Sequence, residues 1–138
     1  MRALFRVGLV LAMVTFWAAG SSQAQDGLTR QDRQGPVSVS VTLSAAPEIG
    51  APLKAKVVLD THSVALDGIK FEEAVALRMS DGTDIAPAAV EQATGSGHHR
   101  EAVLVFPPLA RPGDVRIVVK NVGGVAERSF SWELPPTR

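Results

Sequence analysis

The chain has 138 residues, with 14 Lys+Arg against 14 Asp+Glu, three His and no Cys. That length bounds it to one ordinary domain, and the lack of thiols excludes a disulfide framework, a thiolate metal site and a cysteine nucleophile. Balanced charge gives no electrostatic reason to expect DNA, RNA or an anionic membrane surface as a partner.

Residues 1–24 predict a secretory signal peptide: Arg2 and Arg6 make a positive start, Val7 to Ala19 is an uncharged and mostly apolar run, and Ser22-Gln23-Ala24 offers small residues around a cleavable bond. The alternative is an uncleaved anchor, but the run falls short of the roughly 20 apolar residues that span a bilayer. With no cysteine after the run, lipid attachment is excluded. The expected product is periplasmic or secreted, with no membrane span once the signal is cleaved. Cleavage after Ala24 removes Phe5, Phe16 and Trp17, so the aromatic share of the core falls to Phe71, Phe106, Phe130 and Trp132, and Val, Leu, Ile and Ala must supply the rest.

Residues 25–35 are polar with one large apolar side chain, Leu28, and read as a flexible lead-in. From Val37 the pattern turns to strict alternation, with Val37, Val39, Val41 and Leu43 on one face and Ser38, Ser40, Thr42 and Ser44 on the other, which predicts a half-buried strand. Leu53, Ala55, Val57 and Leu59 make a second strand, and Val75, Leu77 and Met79 a third. Asp81-Gly82 supplies a tight turn into a short fourth run over 85–90, which Pro87 confines to an edge. Val103, Val105 and Phe106 mark a fifth strand, stopped by Pro107-Pro108. Val115, Ile117 and Val119 form a sixth; Asn121-Val122-Gly123-Gly124 turns the chain into a seventh over 126–134, with Phe130 and Trp132 on one face and Arg128 of the same parity placed at the rim. Helical periodicity is confined to one turn over 69–74. About seven short strands with turns between them predict an antiparallel β-sandwich over 36–138, immunoglobulin-like in the broad sense. A partly closed barrel is the alternative, because periodicity does not set strand order.

Three segments carry a resemblance: Leu59-Asp60-Thr61-His62-Ser63-Val64-Ala65-Leu66-Asp67, Gly95-Ser96-Gly97-His98-His99-Arg100 followed by Val103 to Pro107, and Val122-Gly123-Gly124-Val125-Ala126-Glu127-Arg128. Together they resemble an uncharacterised family of short exported bacterial β-domains, over about Leu53 to Trp132. The resemblance implies an exported β-domain and no reaction. It directs attention to the loops that hold all three histidines.

His62 follows the second strand and His98-His99 open the fifth, so a sandwich brings both loops to one end. With Asp60, Asp67 or Glu101 as an oxygen donor, His62, His98 and His99 would make an imidazole and carboxylate set suited to zinc or copper. Adjacent strand residues point to opposite faces, so only one of His98 and His99 joins His62 if the segment is extended. The structural alternative has Thr61-His62-Ser63 capping a loop and a histidine beside Gly95-Ser96-Gly97 bonding at a turn or sheet rim; no close, repeated ligand spacing is present. A pH-sensitive contact is a third use, because histidine titrates near neutrality. Asp60, His62 and Ser63 lie too close in sequence for a hydrolase triad, and Gly95-Ser96-Gly97 lacks the nucleophile elbow. The glycines match no phosphate loop. Arg128 is expected to bond a neighbouring carbonyl or a carboxylate such as Asp60 or Asp67, and Trp132 to belong to the core. These features point to a monomeric, non-catalytic module that binds an envelope protein partner through the histidine loops. The alternative is a periplasmic copper or zinc protein using Asp60, His62, His98 and His99.

Overall fold

The computed structural model describes residues 27–110 and 113–133, so the expected signal peptide lies outside the described residues. They form an all-β sandwich of two antiparallel sheets. In chain order the elements are β1 (Thr29–Asp32), β2 (Val37–Leu43), β3 (Leu53–Thr61), a single helical turn α1 (Phe71–Ala74), β4 (Val75–Arg78), β5 (Asp84–Ile85), β6 (Ala89–Ser96), β7 (His99–Phe106), β8 (Val115–Val122) and β9 (Val125–Trp132). One sheet has the order β1-β2-β3-β7-β6 and the other β5-β4-β8-β9. No helix among the described residues is long and apolar enough to cross a membrane.

Alternation sets the register. Val37, Val39, Val41 and Leu43 of β2 face inward beside Leu53, Ala55, Val57 and Leu59 of β3, and all eight are buried. Fully burying a valine or leucine stabilises by roughly 1.5–3 kcal/mol, so a one-residue slip of either strand would expose its whole apolar set. Leu104 and Phe106 continue this layer on β7, and Leu77, Ile117, Val119, Phe130 and Trp132 answer it from the second sheet. Trp132 belongs to the core as expected, its indole Nε1–H donating to the Leu28 carbonyl at 3.1 Å. Phe71 makes the helical turn at 69–74 a plug, buried beneath Arg100.

Two expectations about the strands need correction. Residues 29–32 of the supposed lead-in form β1, paired with β2 from Thr29↔Thr42 to Asp32↔Val39. This strand is half exposed on both faces and lacks alternation, which hides it from a periodicity argument. The run over 85–90 is two strands in different sheets: β5 pairs with β4, the chain crosses over at Pro87, and β6 pairs with β7. Beyond Val90, β6 is exposed at every residue and has no apolar face to betray it. A bulge between Glu91 and Thr94, with Gln92 at φ 51°, interrupts its pairing.

On the outer face of the second sheet Val118 is 0% and Ala76 9% exposed although both point away from the core. Arg78 runs across this row to donate to Glu127, at 2.5 and 3.0 Å, and to Asp84, at 2.7 and 3.0 Å; Lys120 also donates to Asp84. Long charged side chains thereby roof apolar strand residues. The bond from Arg78, followed by that from Lys120, holds the Asp84 carboxyl well below the ordinary carboxylate range, and Arg78 likewise lowers Glu127.

Candidate functional site

The three motifs meet at one end of the sandwich, where the structure uses them first as fasteners. The Thr61 hydroxyl donates to the Pro36 carbonyl at 2.7 Å and accepts from the Ser63 and Val64 N–H groups at 3.2 and 3.3 Å, closing the turn out of β3. The Thr61 N–H donates to the His98 carbonyl and the Leu66 N–H to the Gly97 carbonyl, at 3.0 and 2.8 Å. Asp67 completes the junction by accepting from the Gly97 N–H at 2.9 Å. The histidine loops therefore do come together, as the sandwich reading expects.

Arg100 explains why the loop over 62–70 is ordered. Its Nη1 donates to the carbonyls of Leu66, at 3.0 Å, Ile69 and, at 3.5 Å, Asp67, while the guanidinium sits 5.1 Å above the Phe71 ring centroid. Gly95 sits at φ 89°, and a Cβ there would strike the His99 carbonyl oxygen, so this position takes only glycine. The third motif builds a pocket for Arg128. At Gly123, φ 61°, a Cβ would lie 2.7 Å from the Val37 side chain, and the neighbouring Arg128 donates to the carbonyls of Val37 and Val122 at 2.9 and 3.1 Å.

Arg128 corrects the sequence expectation in position and partner. It is 1% exposed rather than at the rim, and its carboxylate is Asp32 at 3.0 Å, not Asp60 or Asp67. The register Val119↔Arg128 aims it inward, and only the unforeseen β1 supplies the counter-charge. Burial works to raise the Asp32 carboxyl, but bonds from the Gln34 backbone and side chain and the Arg128 charge outweigh it and hold it below its ordinary value.

The four proposed metal ligands divide into a pair and two single residues. Asp60 and His99 face each other across β3 and β7, with His99 Nδ1 2.5 Å from Asp60 Oδ1 and His99 Nε2 3.6 Å from Glu101 Oε2. His62 and His98 are exposed in the adjoining loop and turn. Among the described residues no group of three or more His, Asp and Glu is placed to hold a metal ion. The bond to Asp60 raises the His99 pKa above 6.5 because the carboxylate favours the imidazolium.

The opposite end has another character. Residues 44–52 and 107–110 are joined by the parallel bridge Ile49↔Leu109 and the Gly50 N–H bond to the Leu109 carbonyl at 2.8 Å. Leu109 and Pro47 are buried, whereas Ala45, Ala46, Pro52, Pro107, Pro108 and Ala110 are exposed. Two shallow grooves of about 510 and 260 Å³ flank the first loop and share Ala46 and Pro47. Trp132 and Arg30 line the larger, with the guanidinium 5.5 Å from the ring centroid. Residue order hides this surface, because alanine and proline in a loop read as turn punctuation. The signal was the number of apolar residues in two loops that the fold brings together.

No protein-family model matches the chain, and comparisons with curated proteins and with solved structures likewise find no match.

Proposed function

We propose that the protein is an exported, non-catalytic interaction module of the bacterial cell envelope, an immunoglobulin-like domain acting as a monomer that docks a protein partner on its alanine- and proline-rich end. The order β2-β3-β7-β6 in one sheet and β5-β4-β8-β9 in the other, with β1 beside the first strand, is the order that A-B-E-D and C′-C-F-G sheets would give, which supports the immunoglobulin-like reading. The observation that carries the reading is the exposed set Ala45, Ala46, Pro52, Pro107, Pro108 and Ala110 on loops tied by a backbone bridge. A contiguous exposed apolar surface on a small domain marks an interaction site, and proline-stiffened loops lose little entropy on docking. The monomeric state is favoured by three blunt sheet edges, since β1 has four residues, β5 two, and β6 is bulged; the fourth edge, β9, has eight residues, and its Ser131 carbonyl accepts from Arg30 at 3.2 Å.

Photo-crosslinking in the producing cell tests the site. A benzophenone side chain at position 46 is expected to give an adduct of defined mass, and one at position 98 none. Adducts from position 98 alone would move the docking surface to the histidine end; adducts from neither would remove the reading.

A second reading, a copper or zinc protein, is favoured by the Thr61 to His98 backbone bond, which puts the His62 loop and the His98-His99 turn side by side. It requires His62 and His98 to swing towards the Asp60–His99 pair. Calorimetric titration with Cu²⁺ and Zn²⁺ tests it: stoichiometric binding that disappears when His62 and His98 are both replaced by alanine would establish it.

A further inference from the structure

The larger groove at the alanine- and proline-rich end combines an apolar lining with two carboxylates. Leu28, Ala46, Pro47 and Trp132 supply the first, and Asp114 and Glu133, both exposed, the second. The rung Val115↔Trp132 makes these two acids the next residues outward on β8 and β9, in register with each other. Like charges so placed repel, and among the described residues neither carboxylate makes a hydrogen bond or an ion pair.

The cations nearby leave that charge standing. Arg30 lines the same groove but donates to the carbonyls of Gly27, Thr29 and Ser131, at 2.8, 3.0 and 3.2 Å, while its guanidinium covers Trp132. Arg116 stands opposite Ser131 and lines a different groove, beside Arg78. In the smaller groove Lys54 pairs with Glu91 at 3.4 Å, and the exposed Glu48 pairs with nothing among the described residues. Elsewhere Asp32, Asp67, Asp84 and Glu127 each accept from a donor of the fold. The apolar end therefore keeps three carboxylates that the fold does not use.

Resting on the reading of this end as the docking surface, we propose that its larger groove receives a basic side chain, lysine or arginine, carried by an apolar segment of the partner protein. Such a side chain has the two halves that the groove matches: an aliphatic stem that lies along Leu28, Ala46 and Pro47, and a cationic head that reaches Asp114 and Glu133. The head also relieves the repulsion between the two acids. An acidic segment would meet them with only Arg30 to receive it, and a polyanion such as a nucleic acid or an anionic lipid surface is repelled.

Chemical-shift titration of the full, isotope-labelled protein with n-butylguanidinium and n-butylammonium, beside uncharged butyramide and anionic butyrate, tests the proposal. Saturable shifts are expected with either cation at Ala46, Glu133 and the Trp132 indole N–H, with His98 at the other end unmoved. Asp114→Asn combined with Glu133→Gln should weaken binding about fivefold, as two exposed charge contacts imply. Added salt should weaken binding to the parent and leave the double variant unaffected. An equal response to butyramide, a stronger one to butyrate, or unchanged affinity in the double variant would overturn the assignment. Photo-crosslinking from position 46 separates this failure from failure of the docking surface. The adduct is expected to disappear when Asp114→Lys and Glu133→Lys are combined; an undiminished adduct would keep the surface and overturn the basic partner, and no adduct in the parent would remove both.

Discussion

At one end of the sandwich, arginine, threonine and aspartate side chains tie loops to backbone groups; at the other, two loops rest on apolar contacts and one parallel bridge. Arg128, Arg100, Thr61 and Asp67 all serve the first end. Among the described residues, no side chain of 44–52 or 107–110 makes a hydrogen bond. The difference separates two uses of polarity. Where charged groups look like a site, they are consumed in holding the chain. Where the surface looks inert, the apolar side chains have no internal duty and are free for a partner.

Replacing Arg128 by methionine tests the first half most severely. It strips the counter-charge from Asp32 and removes the charged donor that the Val37 and Val122 carbonyls share in the interior, so urea denaturation is expected to show a loss of roughly 3–5 kcal/mol. A change below about 1 kcal/mol would mean that β1 and the buried pair are not structural.

Arg100→Ala should cost less, roughly 1–3 kcal/mol, since the Leu66 and Ile69 carbonyls lose a charged donor and Phe71 its cover. Its signature is local: exchange should accelerate over 62–70 and stay unchanged over 44–52. Uniform acceleration would merge the two ends into one cooperative unit.

The Arg78 cluster lies on a flank and gives a reference for pH. Asp84 and Glu127 have lowered pKa values in the folded chain, so their contribution is present above the unfolded carboxylate values and is lost as pH falls through the folded ones. The urea midpoint should decline on acidification, and Asp84→Asn should flatten that decline. His99, whose pKa the Asp60 bond raises, contributes with the opposite sign, being lost as pH rises, so the two responses separate on one titration.

The smallest stability effect is expected at the apolar end. Ala46→Asp should change unfolding free energy by no more than about 0.5 kcal/mol, yet abolish the photo-crosslink expected from a benzophenone side chain placed at neighbouring position 45. Retention of that adduct would place the docking surface elsewhere.

The all-β class, the strand faces of β2, β3, β8 and β9, the helical turn near Phe71 and the core role of Trp132 were legible because period-two alternation records burial directly in residue order. Even the meeting of the histidine loops could be anticipated, since strands two and five end beside each other in a sandwich. The partners of the two arginines could not. Arg128 looked like a rim residue because its charge outweighed its parity, and its counter-ion sits on β1, a strand without alternation. Arg100 spends its charge on carbonyls of a loop distant in sequence. By itself the residue order determined which side chains seek the interior, through local spacing. Tertiary structure alone decided that Asp32 meets Arg128, that His99 falls between Asp60 and Glu101, and that two alanine- and proline-rich loops become one surface, because each depends on which strands lie side by side.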